Sequence, residues 1–188
     1  MRRIQFLGWG MLLCSVLLLN SCYPRKEVYF APIASGGIVV QNDCHEQYGV
    51  PGTIKFQLDK VRLWATIDIE TNVLTITATV EQGTSFFLRR SQFVVESNGL
   101  RQEIASRKVT EYGYTYKSRT RRIFQLEDGL EMQGSKTYFI EFDRLPTEGD
   151  LFTFRLPPLL INGIEHEIPV ITFRRSVHWY IAALIANC

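Results

Sequence analysis

Histidine is scarce in this 188-residue chain: there are three, with three methionines and four cysteines. So small a stock of soft and titratable side chains leaves little material for a multi-ligand metal centre or a histidine acid–base site. The short signatures of common catalysts are missing too: there is no G-x-S-x-G, no H-E-x-x-H, no P-loop and no Cys-His nucleophile pattern. No internal repeat or low-complexity block appears, and a long apolar run occurs once, over residues 4–19. That run has 16 residues and is interrupted by Gln5, Gly8 and Ser15, whereas a bilayer-spanning helix needs about 20 apolar residues. Charge surplus is also lacking. Without Arg2 and Arg3 the remaining chain carries 19 Lys and Arg against 19 Asp and Glu, which gives no general attraction to nucleic acid or to an anionic membrane.

What stands at the start is a targeting pattern. Arg2 and Arg3 precede the apolar run, and the run ends in Leu19-Asn20-Ser21-Cys22. An aliphatic residue, a tolerated second residue, a small residue and a cysteine resemble the lipobox of bacterial lipoproteins. The resemblance implies removal of residues 1–21 and attachment of diacylglycerol to the Cys22 thiol, with the new amino group acylated as well. Cys14 lacks small residues before it and leaves with the signal. Several acyl chains hold a protein firmly, because each buried methylene contributes about 0.8 kcal/mol and one chain alone is marginal. For a Gram-negative host, Tyr23 in place of Asp after the lipidated cysteine implies sorting to the outer membrane, periplasmic face. The alternative is an ordinary secretory signal cut near the same place, leaving Cys22 as a thiol.

Cys44 and Cys188 then remain for the folded part. In an oxidising compartment two thiols suggest one disulfide, here tying the last residue to the start of the domain. A loop of that length stabilises by about 4–5 kcal/mol in the chain-entropy picture; two unpaired buried thiols are the alternative. Residues 22–37, with Pro24, Pro32 and Gly36-Gly37, read as a lipidated tether or, through Val28, Tyr29 and Phe30, as a peripheral strand. Residues 38–188 form the domain.

Period-two alternation dominates that domain. Val61, Leu63, Ala65, Ile67 and Ile69 share one face, and after a Thr71-Asn72 turn Leu74, Ile76, Ala78 and Val80 face them across a hairpin. Asn98-Gly99 and Asn162-Gly163 mark two further hairpins, since both residue types accept positive φ. Residues 137–142 align Tyr138, Ile140 and Phe142, and residues 151–156 align Phe152, Phe154 and Leu156. Near Pro169 the inward set passes from Ile164 and Ile168 to Ile171 and Phe173, as a bulge or edge position would require. The final segment fits two patterns: Val177, Trp179, Ile181 and Ala183 suit a strand, while Val177, Ile181, Leu184 and Cys188 suit a short C-terminal helix. Eight or nine short strands predict an all-β antiparallel β-sandwich, immunoglobulin-like in architecture only, because the core tryptophan and inter-sheet cysteines of true immunoglobulin domains are not evident.

Candidate chemistry is thin. Alternation sets His166 on the face opposite Glu165 and Glu167, so the three cannot chelate one ion, and His166 reads as a core or rim histidine beside Ile164 and Ile168. Asp43 and His45 can share a face but lack further ligands, and His178 reads as packing. No catalytic residue, metal site or cofactor is expected. The distinctive stretch is residues 107–124, with six cations, one acid and tyrosines at 112, 114 and 116. Tyr112, Tyr114 and Tyr116 beside Lys117, Arg119, Arg121 and Arg122 suit lipopolysaccharide phosphates, a glycan or an acidic protein. The plainer reading is an exposed edge whose cations discourage strand pairing, with Glu127, Asp128 and Glu131 neutralising it locally. The expected partners are the membrane, through lipid on Cys22, and an envelope protein or polyanionic glycan.

Overall fold

A computed structural model describes residues 23–41, 49–114, 119–128, 131–145 and 149–182. Cys22, Cys44, Cys188, Asp43, His45, Tyr116 and Lys117 lie outside them. The described residues form strands without a helix: β1 Tyr23–Ile33, β2 Ile38–Val40, β3 Thr53–Leu58, β4 Val61–Asp68, β5 Val73–Val80, β6 Ser85–Leu88, β7 Gln92–Ser97, β8 Leu100–Tyr114, β9 Arg119–Phe124, β10 Glu131–Gln133, β11 Lys136–Arg144, β12 Leu151–Arg155, β13 Leu159–Ile161, β14 Ile164–His166 and β15 Ile171–Ala182.

All pairings are antiparallel. The large sheet runs β1-β15-β12-β7-β8-β11-β5-β4-β3-β2, with β9 added alongside β8, and a small sheet runs β10-β6-β13-β14. The long β8 joins the two layers of the sandwich. Its first residues, Leu100 to Ala105, pair with β7, and Ser106 to Gly113 pair with β11. At the crossing the register skips Arg107, and the inward phase changes from Ile104 to Val109. A bulge there bends the strand from one layer into the other. β1 approaches β3 and β4, so the sheet nearly closes on itself.

Between the layers the rings of Phe93 (β7) and Phe154 (β12) meet Phe142 (β11), with centroids 4.4 Å and 5.8 Å from it. Phe30 of β1 packs edge-on to Phe152 at 5.2 Å. The small sheet closes the core with Phe86, Leu88, Met132, Leu159 and Ile161, all buried. This is the sandwich that the alternation predicts, and both inward faces of the β4–β5 hairpin are buried along their length.

Two open readings resolve and one expectation changes. Of the tether and the peripheral strand, the strand holds: residues 23–33 are β1, paired with β15 over 11 positions from Tyr23↔Ala182 to Ile33↔Thr172. The C-terminal segment is strand through Ala182, which removes a helix over residues 177–182, because β1 supplies the main-chain partners that the helical pattern would leave unused. Ile164 does not face inward: beside the Asn162-Gly163 turn it is 65% exposed. β14 ends at His166, and the inward phase restarts at Ile171 in β15.

Candidate functional site

The tyrosine- and arginine-rich stretch is a hairpin at the sheet's margin. β9 pairs with β8 in the register Val109↔Phe124, Thr110↔Ile123, Glu111↔Arg122, Tyr112↔Arg121, Gly113↔Thr120 and Tyr114↔Arg119. Arg119 to Ile123 are all exposed, and Phe124 tucks against the core. A Cβ at Gly113 would stand 2.6 Å from Thr120 Oγ1, so a larger residue there would turn away the hydroxyl that donates to the Gly113 carbonyl.

Alternation divides the cations. Arg119 and Arg121 share the outer face with Tyr112, and Arg122 lies on the inner side with Glu111. Tyr112 is held edge-on to Phe139, at 5.4 Å and 88°. That leaves its π-face for guanidinium: Arg119 Cζ sits 4.4 Å from the ring centroid and Arg121 Cζ 6.0 Å. Such contacts are worth about 0.5–1 kcal/mol on a surface. Tyr114 joins the strand opposite Arg119.

Two of the nearby acids are engaged elsewhere. Asp128 accepts the Ser91 N–H, and the Ser91 side chain and backbone hold its carboxyl below the usual carboxylate range. Glu111, largely buried, pairs instead with Lys136 at 2.9 Å. Next to it Tyr138 both accepts from the Gln133 N–H and donates to the Gln133 carbonyl, each at 3.0 Å. Burial pushes the Tyr138 phenol up to about 12, with the Glu111 carboxylate adding to the effect.

Pairing extends the outer face across the sheet. The register carries Arg121–Tyr112 on to Thr137, Thr79 and Arg62, and the neighbouring row is Thr110, Phe139, Thr77, Trp64 and Lys55. The hydroxyls of Thr79 and Thr137 are bonded at 3.2 Å. Lys55 and Arg62 each approach the Trp64 ring to 5.8 Å. A shallow cavity of about 240 Å³ opens beside Arg62, Thr79, Ser135, Lys136 and Thr137, and the buried Nε of Arg62 has no hydrogen-bond partner. With strands about 4.8 Å apart, the row from Arg121 to Arg62 crosses four strand intervals, or about 19 Å. Sequence reading found the β9 end of this face. The Arg62 end escaped it because pairing alone brings residues 62, 79, 137 and 112 into line.

The other candidates are dispersed. Glu165 forms an exposed ion pair with Arg89 at 2.8 Å, and Glu167 is solvated. His166 is half-buried opposite Leu159. His178 packs edge-on to Tyr29 at 6.5 Å. Among the described residues no group of three or more His, Cys, Asp or Glu can hold a metal ion. Comparison of the chain with protein families, curated proteins and solved structures finds no match.

Proposed function

We propose that this chain is a non-catalytic, lipid-anchored protein of the cell envelope, whose sandwich docks an acidic envelope polymer on the outer face of β9, β8, β11, β5 and β4. One observation carries the docking reading: guanidinium groups over Tyr112 at one end of a hydroxyl-lined row and the Arg62 guanidinium beside Trp64 at the other. A chain of phosphates or carboxylates laid across the strands meets cations at both ends and, between them, the one hydroxyl hydrogen that the Thr79–Thr137 bond leaves free. The aromatic rings of Phe139 and Trp64 in the next row favour a glycan over a plain polyphosphate, since a sugar ring has an apolar face to lay on them.

The lipobox supports the anchor, and Tyr23 after Cys22 supports the outer membrane. For a Cys44–Cys188 disulfide the support is reach. Gly49, five residues after Cys44, lies beside His178, where an added Cβ would stand 3.4 Å from Nε2. Five residues from Gly49 extend about 17 Å, and six from Ala182 about 20 Å, against about 13 Å from His178 to Ala182.

The test is binding of purified lipopolysaccharide and of an acidic polysaccharide by the wild-type chain and by the triple charge reversal of Arg119, Arg121 and Arg122 to Glu. The expected result is loss of affinity by tenfold or more, with wild-type binding that weakens as salt rises. Retained binding in the variant rejects polymer docking. A second reading, strand addition by an envelope protein, is favoured by β9 itself: among the described residues it pairs only with β8, so its other edge offers main-chain groups.

A further inference from the structure

On the face that carries Phe30, the β1–β15 ribbon meets the core near one end. Phe30, Pro32 and Phe173 are buried. Farther along the same face the pairs Val28↔Val177 and Lys26↔Trp179 run past the packed interior. Trp179 is 65% exposed and Val177 47%, an apolar pair two residues apart that no core covers. Isolated exposed apolar residues are ordinary, but here Val177 lines a groove of about 600 Å³ with Lys26, Val28, Leu151 and Arg175, and Trp179 is the strand partner of Lys26. Lys26, Arg174 and Arg175 on its walls outnumber Asp150, which lies 3.7 Å from Arg175.

We infer that this ribbon face rests in the headgroup region of the bilayer that carries the Cys22 lipid. The inference depends on the lipid anchor proposed above and goes beyond it, because it assigns which face of the sandwich the membrane holds. β1 begins at Tyr23, the residue after Cys22, so paired strand leaves no slack between the acyl chains and the ribbon tip. Trp179, opposite Lys26, is three positions from that tip, about 10 Å along the strand. Each interfacial zone of a bilayer is about 5–8 Å deep, so a ribbon leaning on the membrane brings Trp179 to headgroup level. An indole ring suits that level, apolar in body and polar at its N–H, and Lys26, Arg174 and Arg175 suit lipid phosphates. The segment that reads as a tether is therefore an orienting strut.

After removal of residues 1–21 the chain keeps two tryptophans, Trp64 and Trp179. The experiment uses the lipidated full chain, its lipid verified by mass, in phosphatidylethanolamine/phosphatidylglycerol vesicles with brominated acyl chains. In Trp64→Phe, Trp179 is the sole reporter, and Trp64→Tyr serves if that variant yields too little folded protein. The reverse variant, Trp179→Phe, leaves Trp64 as the reporter. The expected result is blue-shifted Trp179 emission quenched by half or more, with Trp64 unquenched. Unquenched Trp179 in the verified lipidated chain overturns the ribbon contact and leaves the anchor standing, as does equal quenching of both tryptophans. A chain without lipid mass overturns the anchor and the contact together.

Discussion

At the scale of single residues, the tightest points lie where backbone meets backbone. Gly134 brings the turn before β11 against the turn after β5, and an added Cβ would collide with the Glu81 carbonyl. Gly134→Ala is expected to lower stability by about 1–3 kcal/mol, read as a lower urea midpoint. Tyr138 supports the same region by tying its hydroxyl to both main-chain groups of Gln133. Its phenol, held up to about 12 against an ordinary 10.0, keeps its proton in the folded state after the unfolded chain has lost it. The folded state then binds more protons, so stability is intact below pH 10 and falls as pH rises from 10 toward 12. Tyr138→Phe is expected to cost about 1–2 kcal/mol at neutral pH and to flatten that alkaline decline, measured by urea unfolding at pH 9 and pH 11. A decline as steep in the variant would place the titration elsewhere.

At the scale of elements, hairpins were legible where the chemistry of the turn is local. Asn98 and Gly99 sit at φ 50 and 76, and Asn162 and Gly163 at φ 51 and 80, conformations that these residues adopt with least strain. The β4–β5 and β11 faces were legible because alternation alone sorts their side chains. Other elements were not. The fifteen described strands exceed the expected eight or nine in part because β2 and β10 have three residues each, too few to show a period. For β15 the residues fit strand and helix equally, and the deciding partner is β1, almost the whole chain away. The same limit hid half of the candidate site, since Arg62 joins Tyr112 through three pairings. The layers themselves depend on the ring cluster. Phe93→Ala, which removes the ring between Phe142 and Phe154, is expected to cost about 3–5 kcal/mol. Ile123→Thr on exposed β9 is expected to change stability by less than about 0.5 kcal/mol. Equal losses in thermal unfolding would contradict this division between core and docking face.

At the scale of the whole molecule, the proposed anchor, disulfide and docking face form one arrangement. Lipid at Cys22 leads straight into β1, β1 is clasped by β15, and the proposed disulfide fastens the chain beyond β15 to residue 44. The cationic row lies on other strands of the same sheet, so the anchor and the docking surface occupy separate parts of the sandwich. The measurement that bears most directly on this arrangement is the intact mass of the membrane-extracted protein, before and after reduction and thiol alkylation. The expected result is a chain beginning at Cys22 with added acyl groups, in which two thiols become labelled only after reduction. An unlipidated chain, or thiols that label without reduction, would contradict the anchor or the disulfide respectively.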